Sequence, residues 1–323
     1  MARTKGHRGV PDSGWVIVRK LLLNRGFLLF AVAYAAAVAW LAATGRPLGD
    51  AIGAFVILGI ALPLAALATC AGLPEPTRPQ PWRPGDAATM AMLLGWIVLF
   101  LALKGSLQAA LLPAGAGAAA TLTVSTLLKV AAFVLVPALV LRWRGTLPGQ
   151  GGRPTAPAWR LIVCFVVMAA LAVGVQALMG SQFRAYLEAG RSTPAFIGGL
   201  VGCFAWMSVE AGLVEEFFFR WYLQSRLAAL SGSQITAIFV GSLVFGLAHA
   251  PGIWLRGAGA VEGLGTDPTL ATTIAYVIAV QGVAGLTFGV LWARTRSLAL
   301  VVLLHGAFDA PSNAAEFVAA WGW

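Results

Sequence analysis

The chain has 323 residues, of which 59% are hydrophobic and 11% charged, and a formal net charge of +10. Soluble domains average about 25% charged residues, so this composition excludes an ordinary water-soluble domain and describes a chain solvated by lipid. The positive charge is no nucleic-acid signature, because the basic residues are scattered between apolar runs without an aromatic-interleaved patch; loop charges of membrane proteins are biased in this way.

An interior without water leaves helices or closed barrels. Unbroken apolar runs near the roughly 20 residues of a membrane helix select helices. The predicted fold class is therefore all-α: a polytopic integral membrane protein with eight to nine transmembrane helices. The first feature is Arg3, Lys5, Arg8, Arg19, Lys20 and Arg25 ahead of an apolar run from Phe27. This resembles the opening of a signal peptide, but the basic region is long and more spans follow, so an uncleaved first helix is expected.

Nine spans are predicted, at 27–43, 51–73, 87–103, 119–141, 159–179, 195–227, 234–250, 270–293 and 297–320. The connection 107–117 is apolar and reads as a candidate re-entrant segment, whereas 74–84 and 145–157, rich in Pro and Gly, read as loops. Residues 1–26 are expected to form a basic cytoplasmic arm, 27–190 a set of helices without recognisable motifs, and 191–323 the core that carries chemistry. With the N-terminus in the cytoplasm, fifteen Lys and Arg fall on the inner side and five on the outer, with Lys129 and Arg220 inside spans. This supports that orientation, in a membrane of the bacterial cytoplasmic type. Cys70, Cys164 and Cys203 lie in apolar segments without CxxC spacing, as small buried hydrophobes do.

Ionisable groups at membrane depth cost at least a few kcal/mol each and are functional candidates by default. Five acidic residues, Glu210, Glu215, Glu216, Asp309 and Glu316, fall in predicted spans, as do two of the three histidines, His249 and His305. In the run Glu-Glu-Phe-Phe-Phe-Arg, Glu216 and Arg220 are four apart and share a helix face. Pairing with Arg220 relieves Glu216 of a lone buried charge. Glu215 points about 100° away and stays free for general-base work. A helix-locking ion pair would explain one Glu and one Arg but not the second Glu. Depth arithmetic puts Glu216 about 15 Å inward from Arg226, and His305 about 13 Å inward from Arg296. Counted from the turn near Ser231, His249 lies level with Glu215 or slightly deeper. Three helices thus deliver two carboxylates and two imidazoles to one buried layer, with Asp309 one turn from His305. Glu210 lies about 140° round the helix from Glu215, outside the site, where it lines a water path or bonds another helix. Glu316 is expected at the interface.

Glu215-Glu216-x-x-x-Arg220, Phe245-x-x-x-His249 and His305-x-x-x-Asp309, in that order on separate helices, resemble the three motifs of the CPBP (Abi) family. This family comprises CAAX prenyl endopeptidases and bacteriocin-processing or self-immunity membrane proteins. The likeness covers residues 195–312 and extends to Phe288-Gly289 and Ala293-Arg294-Thr295. It implies an intramembrane endopeptidase. Glu215 would activate water with help from His249, His305 and Asp309 would stabilise the oxyanion, and Glu216 and Arg220 would hold the helix geometry. Two positions depart from the family pattern: Trp221, where a small residue often follows the Arg, and Asp309, where eukaryotic members carry Asn. An ionised Asp309 would repel an oxyanion, so it either orients His305 or is protonated.

Two mechanisms fit these residues. One needs no metal or other cofactor and is the expectation here. In the other, Glu215, His249 and His305 bind Zn²⁺ or another divalent metal; no HExxH helix is present. The expected partners are membrane lipid and a peptide or protein substrate, a peptide precursor or membrane-protein tail rather than nucleic acid. The rival class is a non-enzymatic protein, either an immunity protein or scaffold on this fold or a proton-coupled transporter. A transporter is expected to show inverted repeats, and the sequence shows none.

Overall fold

The computed structural model describes residues 19–74, 81–146, 156–257, 264–265 and 268–322. Most of the basic arm, with Arg3, Lys5, His7 and Arg8, and parts of the two Pro/Gly-rich loops lie outside the described residues. Among those described, nine helices are long and apolar enough to cross a membrane: α1 Arg25–Ala43, α2 Gly49–Thr69, α3 Asp86–Leu111, α4 Ala118–Trp143, α5 Ala158–Met179, α7 Thr193–Ser231, α8 Gln234–Arg256, α9 Leu270–Thr295 and α10 Leu298–Trp321. Each coincides with one predicted span. The molecule is a polytopic all-α integral membrane protein.

A tenth helix, α6 Ser181–Glu188, was not foreseen. It is too short and polar to register as a span, yet it buries Phe183 and Tyr186 and packs on α10. The segment 107–117 is not re-entrant, contrary to expectation. α3 runs on to Leu111, and a short turn with Gly115 at φ 80° leads into α4. Lys104, placed beyond the third span, therefore lies inside α3. Arg226, counted among the inner-side charges at the end of the span 195–227, lies within α7, is buried, and pairs with Asp86 at the start of α3.

Helix starts follow from capping. Asn24 Oδ1 accepts from the backbone N–H groups of Gly26 and Phe27, and the side chains of Ser233, Thr269 and Ser297 cap α8, α9 and α10 in the same way. Such caps satisfy N–H groups that a helix leaves unpaired. Asn24 also donates to Ser233 Oγ and Thr236 Oγ1, so one residue ties the starts of α1 and α8 together.

The last two helices form the centre. α9 and α10 are the most buried of the nine spans, whereas α5 mostly faces outward. α10 packs on α5, α6 and α7, while α8 packs on α1, α3 and α9. Two apolar cores flank the middle of the bundle. One joins Leu62, Cys164, Met168, Trp292 and Leu304; the other joins Leu93, Phe133, Phe218, Tyr222 and Phe245. The three cysteines are free and buried, as expected of small hydrophobes.

α8 and α9 approach closely where Gly246 faces the backbone. A Cβ there would lie 2.7 Å from Gly282 Cα and 2.8 Å from the Val277 carbonyl oxygen. Backbone cannot move aside as a side chain can, so Gly246→Ala should destabilise the protein by about 1–3 kcal/mol. Gly95→Ala, in α3 with nothing within 4 Å, should be neutral or stabilising by up to about 1 kcal/mol. Thermal unfolding of both variants in detergent checks this; equal midpoints would contradict the packing.

Candidate active site

α7 is not a regular α-helix where its acidic residues sit. Residues Ser208–Leu213 and Glu216–Gln224 form wide turns closed by i→i+5 hydrogen bonds. Such insertions are rare, and when present they are frequent at functional sites. Glu215 lies between the two segments. The widening carries five residues back toward the starting side, so the angle of about 140° between Glu210 and Glu215, valid for a regular helix, does not hold here. Glu210 is nonetheless engaged elsewhere, in an ion pair with Lys129 of α4. Of the two roles expected for it, a water path or a bond to another helix, the structure shows the second.

Glu216 and Arg220 are both 0% exposed and paired, with Arg220 Nε 3.2 Å from Glu216 Oε2. The guanidinium also lies over Phe245, 4.5 Å from the ring centroid, and at 5.9 Å from Phe288. Facing aromatic rings stabilise a desolvated cation. Sequence reasoning missed the second partner of Glu216: its other oxygen, Oε1, lies 2.8 Å from His305 Nδ1. An ionised carboxylate only accepts, so Nδ1 carries the proton and His305 turns Nε2 the other way. Phe288 stacks on the imidazole at 4.7 Å and helps to fix its plane.

His249 is oriented by its own helix. Its Nδ1 lies 2.9 Å from the carbonyl oxygen of Phe245, one turn back. A carbonyl accepts, so Nδ1 is the protonated nitrogen and Nε2 of the neutral ring is an acceptor. Phe245 thus contributes a carbonyl to His249 and a ring face to Arg220.

The two Nε2 atoms converge on one oxygen. Glu215 Oε2 is 3.8 Å from His249 Nε2 and 3.7 Å from His305 Nε2. Those separations exceed a direct hydrogen bond and are within the span of one bridging water. Asp309 Oδ2 lies 3.5 Å from His305 Nε2. The predicted layer is present: Glu215, Glu216, Arg220, His249, His305 and Asp309 come together from α7, α8 and α10. Burial falls across it, from Glu216 and Arg220 at 0% exposed to Glu215 at 16%, His249 at 26% and Asp309 at 30%. The locked pair is inside and the free carboxylate faces the open side. Trp221 stacks on Phe217 at 4.6 Å. Among the described residues, no group of three or more His, Cys, Asp or Glu side chains is arranged to hold a metal ion. Here the acidic and imidazole groups pair with one another.

Residues 197–311 match the family described as type II CAAX prenyl endopeptidase, Rce1-like. This segment contains all six residues of the cluster. No curated protein and no solved structure matches the chain.

Removing the Glu216 carboxylate leaves Arg220 as a buried charge without a counter-ion. Glu216→Ala should therefore lower stability by about 3–5 kcal/mol, whereas Asp309→Ala, at the open edge, should change it by less than about 1 kcal/mol. Denaturant unfolding of the purified variants measures both.

Proposed function

We propose that this protein is an intramembrane endopeptidase in which Glu215 activates the attacking water, a reading supported by the match of residues 197–311 to the type II CAAX prenyl endopeptidase, Rce1-like, family. The observation that supports this most is the convergence of two imidazole Nε2 atoms within 4 Å of one carboxylate oxygen. A water held by Glu215 Oε2 and His249 Nε2 gives a proton to Glu215 as its oxygen attacks the scissile carbonyl carbon. General-base help of this kind contributes typically 10²–10⁴-fold. His305, its Nδ1–H held by Glu216, presents Nε2 on the other side of Glu215; doubly protonated, it donates that N–H to the developing oxyanion. Asp309 lies 3.5 Å from the same nitrogen, at the open edge of the cluster. The proton taken by Glu215 then passes to the leaving amide nitrogen as the C–N bond breaks. Glu216 and Arg220 take no part in bond making and set the direction of His305.

The substrate we propose is a peptide precursor or membrane-protein tail that reaches the site from the bilayer or the cytoplasm. We further propose a bacterial cytoplasmic membrane with the N-terminus inside, on the strength of the inner-side excess of Lys and Arg, which persists when Lys104 and Arg226 are set aside as helix residues.

Comparative proteomics of cells carrying wild type or Glu215→Ala should reveal a precursor that accumulates uncleaved in the variant. With that precursor, Glu215→Gln and His249→Ala should each lower kcat by at least about 10²-fold while the protein stays folded, and chelation should leave wild-type cleavage intact. Stoichiometric Zn²⁺ lost together with activity would instead support the metal mechanism. Immunity or transport that survives both substitutions would support the non-enzymatic reading.

A further inference from the structure

The first wide turn of α7, Ser208–Leu213, is held by two neighbouring helices. On α10 the contact is close enough to involve backbone. A Cβ on Gly306, the residue after His305, would lie 2.7 Å from the Ser208 nitrogen, and a Cβ on Gly212 would lie 3.2 Å from the Val302 carbonyl carbon. On α4 the contact is a charge, the pairing of Glu210 with Lys129. Among the described residues this is the one polar tie between α4 and α7.

Lys129 is itself braced. Two residues on, α4 makes a wide turn of its own, Ala131–Leu135, and the Ala132 carbonyl accepts the indole N–H of Trp96 on α3 at 2.9 Å. The pair is largely buried at membrane depth, where stability alone does not ask for it: apolar side chains of similar volume often pack as well as a buried ion pair or better. What apolar packing lacks is direction. The turn ends two residues before Glu215, so a shift of the turn is carried forward to that carboxylate. Across Gly306 it is carried to His305, whose Nε2 stands 3.7 Å from Glu215 Oε2.

We propose that Lys129 is a positioning residue: through Glu210 it holds the wide turn Ser208–Leu213 in place and so sets where Glu215 stands relative to His305. Lys129 takes no part in bond making and acts through the turn. Wide turns are rare and concentrate at functional sites, and this one is tied to a fixed helix on the side away from the reacting groups' own contacts. The effect on rate rests on the peptidase reading; the claim about geometry stands without it.

The test uses the full chain in detergent and the double variant Lys129→Met/Glu210→Met, which exchanges the pair for two apolar side chains and leaves no lone buried charge. Hydrogen exchange should show the amides of 208–216 exchanging about tenfold or more faster than in wild type, with those of α9 unchanged. The nitrogen NMR signal of His305 should shift as well. Lys129→Arg, which keeps the charge, should match wild type in both measurements. Glu210→Ala, which lets the long Lys129 side chain reach toward water, makes the same comparison should the double variant not fold. With the precursor that wild type cleaves and Glu215→Ala does not, the double variant should lose about tenfold or more in kcat while KM stays within about twofold, and Lys129→Arg should restore the rate. Wild-type exchange, an unmoved His305 signal or an unchanged kcat in the folded double variant would overturn the proposal and reduce the pair to a docking contact. Cleavage that survives Glu215→Ala would instead sink the chemistry assigned to Glu215, and the exchange and NMR comparisons would still decide the positioning.

Discussion

The carboxylate of Glu216 is the constraint on which the rest of the site depends. It is wholly buried at membrane depth and meets Arg220 with one oxygen and His305 with the other. The Arg220 guanidinium, which makes no hydrogen bond among the described residues, is held by its counter-ion and by two ring faces, while an imidazole N–H takes up the second carboxylate oxygen. The contact joins α7 to α10, so the last helix cannot rotate without breaking it. Once Nδ1 of His305 is held, Nε2 has one direction left, toward Glu215.

Around this contact the neighbouring side chains take up complementary positions. Phe245 and Phe288 present ring faces to the Arg220 cation, and the same two residues orient the imidazoles, one through its carbonyl and the other by stacking. The wide turns on both sides of Glu215 place adjacent residues, 215 and 216, in different roles. One is locked into the interior and the other turns toward the open edge with Asp309. The proposed reaction asks for a carboxylate that is both positioned and reachable, and two consecutive residues divide those demands.

Much of this was legible in the sequence, for identifiable reasons. The nine spans follow from the length of apolar runs, which the bilayer thickness fixes. The convergence of Glu215, His249 and His305 followed from counting helical rise inward from Arg226, from the turn near Ser231 and from Arg296. That count held although α7 runs on past Arg226 to Ser231, because only relative depth matters. What the sequence did not disclose has a common cause. Hydropathy responds to long apolar runs, so the short helix Ser181–Glu188 escaped it, and so did the continuation of α3 past Lys104. Angles at 100° per residue assume a regular helix, so the wide turns of α7 were invisible and the bearing of Glu210 was misjudged. The Glu216–His305 bond is a tertiary contact between residues 89 positions apart, and the four-residue spacing to Arg220 already explained Glu216 without it. Asp309 was considered as the group that orients His305, yet the nearer carboxylate to that ring belongs to Glu216.

The protonation pattern of the imidazoles reads the central contact directly. The chain has three histidines, so nitrogen NMR of histidine-labelled protein in a membrane mimetic, with His7→Ala to remove the one outside the spans, resolves His249 and His305. A protonated Nδ1 on both rings is the predicted result, with the His305 signal alone shifting when Glu216 is replaced by Gln. An unprotonated Nδ1 on His305, or a His305 signal indifferent to that replacement in folded protein, would contradict the bridge from Glu216 and with it the orientation of the whole site.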